Sequence, residues 1–123
     1  MKIELSQEFV VGGYTLPRGS RVGLGALLIG VHQGSDLVFS GKVGTGLDNE
    51  MLLRTRHQLD AAALPTSPFT VAEGLPRKDV HWCRPELVVQ VSFLQWMESG
   101  KLRHPRLVAV RSDKDPREVV RES

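Results

Sequence analysis

The chain has one cysteine, Cys83, in 123 residues, so no internal disulfide framework can hold it together. Long apolar runs are also missing. The longest, residues 26–31, is broken by Gly30 and falls far short of the ~20 residues that cross a bilayer. The first eight residues, Met-Lys-Ile-Glu-Leu-Ser-Gln-Glu, hold no signal-peptide core. These absences lead to the expectation of a cytoplasmic protein with no membrane partner. Aromatic residues make up only 6%, which weighs against the stacking platforms of non-specific single-strand binders. There is no Gly-x-Ser-x-Gly elbow, and no acid sits inside an otherwise apolar strand pattern. A freestanding catalytic site therefore has no local support. Neither sign of charge dominates, with 16 Lys and Arg against 14 Asp and Glu and a net charge of +2. That balance alone names no partner.

What is present suits one domain covering residues 1–123. Residues 7–14 alternate, with Phe9 and Val11 toward one face, and end in Gly12-Gly13. Residues 25–32 place Leu27, Ile29 and Val31 on one face. A turn at 32–36 follows, where Gly34 takes positive φ and Asp36 bonds backbone locally, and residues 37–43 return. Asp48 is a candidate cap and Glu50 suits the positive end of a helix over 51–64, whose apolar stack is Leu52, Leu59 and Ala63. Pro65 stops it, and a Pro-, Ser- and Gly-bearing loop runs to residue 78. The clearest alternation spans 87–96, with Leu87, Val89, Val91 and Phe93 on one face. Leu102 and residues 107–110 form the last strand, and Pro116 opens a short C-terminal helix over 116–121. Five strands with one helix between the third and fourth is the element order of an OB-fold, a mainly β Greek-key barrel. Other small α+β folds share that count.

Several stretches are candidates for chemistry. Residues 41–46, Gly-Lys-Val-Gly-Thr-Gly, suggest a phosphate loop, but no Gly-Lys-Ser/Thr opens a helix there, so this is not a Walker A sequence. The plain reading is a strand end whose glycines permit a bulge; Lys42 and Thr45 are still able to meet a phosphate. His81 and Cys83 are metal-capable, but structural zinc wants four ligands and no second cysteine exists. No metal site is expected. The loop at 17–21, with Arg18 and Arg21, and the segment 101–106 are basic without an acid. Arg111-Ser112-Asp113-Lys114 follows the last apolar strand residue. By composition it is a solvated strand end with surface pairs worth about 0–1 kcal/mol. By chemistry it is a phosphate cluster: a planar guanidinium fork, a point charge, and an acid to orient either.

Six blocks in order resemble one family. They are Gln7 through Thr15, residues 25–31, residues 41–46, Ser67-Pro68-Phe69, residues 80–88 around His81-Trp82-Cys83-Arg84-Pro85, and Leu102-Arg103-His104-Pro105 followed by Arg111-Ser112-Asp113-Lys114. The chain is similar, over nearly its whole length, to the C-terminal OB domain of bacterial ATP-dependent DNA ligases of the ligase D type. The resemblance implies an OB domain that folds over a separate nucleotidyltransferase domain, whose Lys-x-Asp-Gly lysine takes AMP from ATP. It implies that the family's final Arg-x-Asp-Lys motif is Arg111, Asp113 and Lys114. Their implied role is to meet the β- and γ-phosphates and favour pyrophosphate departure, since preorganised cations stabilise charge on a leaving group. It further implies DNA as partner, as nicked duplex or broken ends, with backbone contacts expected at Lys42, Arg18, Arg21 and Arg84 because a ligase accepts any sequence.

The departures bound this expectation. No Lys-x-Asp-Gly occurs in the chain. The family's preceding double-lysine motif would straddle or precede the N-terminus, with Lys2 in its second place, and residues 1–6 then read as a remnant of the linker between domains. Ser112 stands where the family often has an acid. The chain is expected to be an excised domain, a truncated product or a stand-alone relative, inactive alone. It needs no cofactor by itself, while the intact ligase uses ATP and magnesium. A different class of function stays open: a stand-alone OB module binding single-stranded nucleic acid or a protein partner.

Overall fold

The fold is built around a long first strand that is paired on both edges. The computed structural model describes residues 4–16, 25–44, 49–72, 74–75, 79–111 and 114–120. Strand β1 (Leu5–Thr15) runs antiparallel to β2 (Ala26–Gln33) on one edge and to β5 (Val80–Phe93) on the other. Strand β3 (Asp36–Gly44) returns from β2 through a two-residue turn: Gln33 faces Asp36, and Gly34 takes φ 62°, which glycine adopts without a Cβ penalty. Helix α1 (Asn49–Ala61) follows, then β4 (Ala63–Leu64), which pairs with Cys83 and Trp82 at the start of β5. Strands β6 (Gln95–Trp96) and β7 (Leu102–Arg103) form a small separate hairpin. Strand β8 (Arg106–Arg111) pairs with the second half of β5 and packs against β3. The order β3-β2-β1-β5-β8 thus curls until its last strand meets its first, which is the OB-fold barrel.

Five long strands and one helix match the expected order, and the differences have physical causes. Helix α1 ends at Ala61 rather than 64, because residues 63 and 64 extend to pair with β5 ahead of Pro65. Its buried stripe is Leu52, Thr55, Leu59 and Ala62, not Ala63, which is exposed. The expected cap, Asp48, lies outside the described residues. Strand β5 begins at Val80, seven residues before the expected start. Pro85 and the mixed polarity of residues 80–86 hide it, but β1 and β4 supply ladder partners on either side. Asp36 accepts from the Thr70 hydroxyl at 3.1 Å instead of bonding locally. The C-terminal helix is a single 3-10 turn, Pro116–Glu118, capped by the Asp115 carboxylate, which accepts from the Arg117 N–H at 2.9 Å. Leu5 and Ser6, expected within a linker remnant, are part of β1, paired with Phe93 and Ser92.

The core has aromatic anchors at two places. Phe9, Phe93 and Trp96 meet with ring centroids 5.4–6.0 Å apart. Phe69, from the loop after α1, packs against Phe39 and Trp82 and sits where Gly12 and Gly30 leave room. A Cβ on Gly12 would lie 2.6 Å from the Phe69 ring. One on Gly30 would lie 2.3 Å from the Val38 carbonyl oxygen. The Phe69 loop is tied to β3 by Phe39 N–H donating to the Val71 carbonyl at 2.8 Å and Thr70 N–H to that of Leu37 at 2.9 Å.

Candidate functional site

The described residues 114–120 are docked against the barrel. Val119 is buried, its carbonyl accepts from the His32 N–H at 2.8 Å, and the Val120 carbonyl accepts from the buried Gln7 amide at 2.9 Å. β1 and β2 pair only as far as Val10 and Gly30, and the returning chain bridges in parallel to His32 beyond that point. The terminal motif is therefore strung between two anchors: the β8–β5 ladder before it and this docked segment after it.

Within that span the sheet register places three polar side chains in a row. Glu8 on β1 faces Gln90 on β5, and Arg111, paired with Val88, lies diagonally across on β8. The Arg111 guanidinium donates to Gln90 Oε1 at 3.0 Å, and Gln90 Nε2 donates to the Ser6 hydroxyl at 2.8 Å. Lys114 Nζ returns to Glu8 Oε2 at 3.5 Å, with both side chains about two-thirds or more buried, 34% and 25% exposed. Arg111 thus reaches β5 from β8, and Lys114 reaches β1, the strand on the far side of β5. Farther along, Arg106 pairs with Glu4 at 3.1 Å. Asp115 is held below the usual carboxylate range, chiefly by its hydrogen bonds from Arg117.

The expected site residues thus have different fates. Arg111 and Lys114 come together on one sheet surface; Asp113 and Ser112 lie outside the described residues. Lys42 is exposed on β3 opposite Leu28, without an ion-pair partner among the described residues. Arg84 is exposed and paired with Glu86 at 3.1 Å. In the sheet, β2 and β1 lie between the strands that carry Lys42 and Arg84, so they do not form one cluster. Arg18, Arg21 and Thr45 lie outside the described residues. Sequence reasoning missed Glu8, Gln90 and Gln7 as parts of the site. The available signal was polar residues within strands, at Gln7, Glu8 and Gln90. Glu8 inside β1 corrects the expectation that no acid sits in an otherwise apolar strand; the alternation from residue 7 onward draws attention only to its Phe9 and Val11 face.

The metal-capable pair is put to other use. Cys83 is buried, its thiol near the Val11 carbonyl at 3.6 Å, and burial pushes its pKa up to about 12. His81 stacks on Tyr14 at 5.2 Å. The Tyr14 hydroxyl donates to Asp60 at 2.6 Å, and its pKa rises to about 12, first through burial and then through that carboxylate. Arg56 lies 5.7 Å over the Tyr14 ring and 3.5 Å from Asp60, so this cluster ties α1 to the barrel. Among the described residues no group of three or more His, Cys, Asp or Glu is placed to hold a metal ion. Among them, too, no helix is long and apolar enough to cross a membrane.

The class of protein that this geometry defines is an OB-fold barrel, with two basic side chains gathered beside its last strand. Residues 20–114 match the family described as ATP dependent DNA ligase C terminal region. The chain is 37% identical over 126 residues to the multifunctional non-homologous end joining protein LigD of Pseudomonas aeruginosa, covering 99% of this chain and 15% of that protein. It is 38% identical over 121 residues to the LigD of Mycobacterium tuberculosis, covering 95% and 16%. Among solved structures, the ligase domain of M. tuberculosis LigD superposes with a TM-score of 0.87 at 38% identity, over 97% of this chain and 39% of that one. A mycobacterial DNA ligase D complexed with ATP and MES gives 0.84 at 36%, over 96% and 38%. The chain belongs to the family of ATP-dependent DNA ligase C-terminal regions, of the LigD type. It spans about 15% of the length of these curated relatives.

Proposed function

We propose that this chain is the OB domain of an ATP-dependent end-joining DNA ligase, serving in double-strand-break repair. A nucleotidyltransferase domain, joined ahead of β1, supplies the lysine that is adenylated. The OB domain contributes phosphate contacts and does no covalent chemistry alone. The Arg111 guanidinium and the Lys114 ammonium meet the β- and γ-phosphates of ATP and stabilise the charge that grows on departing pyrophosphate, with Asp113 orienting them. ATP arrives with magnesium, which offsets phosphate charge in the intact enzyme. DNA, as nicked duplex or broken ends, is held by its backbone through Lys42, Arg18, Arg21 and Arg84.

The observation that carries this reading is the convergence of Arg111 and Lys114 on one sheet surface, through Gln90 and Glu8. Two cations fixed by a rigid sheet are prepared for a polyanion at little entropic cost. The test adds this chain in trans to a nucleotidyltransferase fragment and measures adenylation. Rescue is expected, and Arg111→Ala or Lys114→Ala is expected to cut it at least tenfold. Full rescue by both variants would overturn the assignment. The burial of Phe9, Phe39, Phe69, Phe93 and Tyr14 leaves few rings for stacking bases. Tighter binding to single strand than to nicked duplex would favour the stand-alone module instead.

A further inference from the structure

One of the two cations proposed for phosphate contact already has an anion beside it. Lys114 Nζ lies 3.5 Å from Glu8 Oε2, and both side chains are largely buried against the sheet. Glu8 sits mid-strand, with β1 paired to β5 at its own position, so its carboxylate is held by rigid backbone. Its neighbour Gln7 projects to the opposite face and binds the Val120 carbonyl. Adjacent β1 residues thus grip the returning chain twice, once by the motif's lysine and once by its backbone. Arg111 makes contact with β5 through an amide. Gln90 accepts from it at 3.0 Å while donating to Ser6.

We infer that Glu8 is a positioning residue for the terminal motif: an internal carboxylate that holds Lys114 in place until a phosphate takes the ammonium from it. This rests on the proposed phosphate role of Arg111 and Lys114. The 3.5 Å contact is long for an ion pair and both side chains keep some contact with solvent, so exchange costs little. Polyphosphate carries several charges where the carboxylate has one, and it is repelled by Glu8 while that carboxylate remains nearby. Glu8 therefore sets the ammonium's position and lowers the motif's affinity for phosphate. The same contact keeps Lys114 from gripping other anions.

The test uses the 123-residue chain and inorganic tripolyphosphate, titrated by calorimetry at low ionic strength, with melting curves to confirm matched folding. Glu8→Gln preserves shape and removes charge. It is expected to tighten tripolyphosphate binding roughly 2- to 5-fold, the range a partly exposed pair allows. The shorter Glu8→Asp is expected to give a smaller gain. In a Lys114→Ala background the Glu8→Gln gain should shrink to the relief of direct repulsion, since the two charges act as a coupled pair. Unchanged or weaker binding by Glu8→Gln would overturn the inference, and so would a gain undiminished in the Lys114→Ala background. If Arg111→Ala and Lys114→Ala weaken binding but Glu8→Gln has no effect, only the role of Glu8 falls. If neither of those variants weakens binding, the phosphate role itself falls.

Discussion

The Gln7 amide donates a 2.9 Å hydrogen bond to the carbonyl of Val120, joining residues 113 positions apart. The first strand and the last described residues are thereby one unit. This contact turns what composition reads as a charged tail into a segment with two fixed ends.

Removing that anchor is expected to loosen the motif more than the barrel. Gln7→Ala removes the amide that the half-exposed Val120 carbonyl accepts from and should cost roughly 0.5–1.5 kcal/mol, the usual net worth of one hydrogen bond. Hydrogen exchange at the His32 N–H, which donates to Val119, should accelerate ahead of exchange in β1 and β5. Equal acceleration throughout would show that the segment is not a separate element.

Phe69 and its two glycines give a sharper packing test. Phe69→Ala should destabilise by about 3–5 kcal/mol, as large-to-small aromatic changes in cores do. Gly12→Ala alone should clash, because the atoms nearest its new methyl belong to the Phe69 ring, at 2.6 and 2.7 Å. In the Phe69→Ala background the closest clash disappears and only Pro68 Cγ, at 3.0 Å, must give way, so Gly12→Ala should cost less there than alone. Gly30→Ala should stay costly in both backgrounds, since the Val38 carbonyl oxygen remains 2.3 Å from the added carbon. Urea denaturation of the single and double variants checks the pattern.

Alkaline pH is expected to destabilise the fold. Cys83 and Tyr14 both have folded pKa values of about 12, raised above their ordinary values of 9.0 and 10.0 mainly by burial. Between the unfolded and folded values the unfolded chain has lost protons that the native one keeps, so stability falls as pH rises. The contribution of Cys83 is full below pH 9 and erodes from there toward 12; that of Tyr14 erodes from 10 toward 12. Melting midpoints measured from pH 8 to 11 should fall, and Cys83→Ala should flatten the part between 9 and 10.

Lys42 and Arg84 should differ as DNA contacts. Arg84 is paired with Glu86 at 3.1 Å, so a phosphate must compete with that carboxylate. Lys42 has no ion-pair partner among the described residues. Lys42→Ala is expected to weaken binding to nicked duplex more than Arg84→Ala, and to reduce the salt-dependence slope by about 1. Binding titrations at several salt concentrations give both quantities.

Local signals carried much of the fold. Alternation in β2, β3 and the second half of β5, the glycine turn at Gly34, and the spacing of Leu52 and Leu59 on α1 each lie within a few residues. The start of β5 was not legible, because Pro85 and scattered charges mask a strand that exists only through its pairing with β1 and β4. A single 3-10 turn stands where a helix was expected, because Val119 and Val120 extend to bridge β2 instead. In the site, Arg111 and Lys114 stood out by residue type, whereas Glu8 and Gln90 did not, since their significance depends on which strand lies beside which.

By itself, the sequence determined the order of the five long strands and the helix, that a lone cysteine forms no internal disulfide, that no apolar run is long enough for a membrane-crossing helix, and the cationic motif at the end of the last strand. Those are properties of composition and short-range periodicity. Only the tertiary structure decided that Gln90 and Glu8 meet Arg111 and Lys114, and that Gln7 holds the segment behind them. Sheet register brings together residues from opposite ends of the chain, and register is set by the packing of the whole barrel rather than by any one stretch.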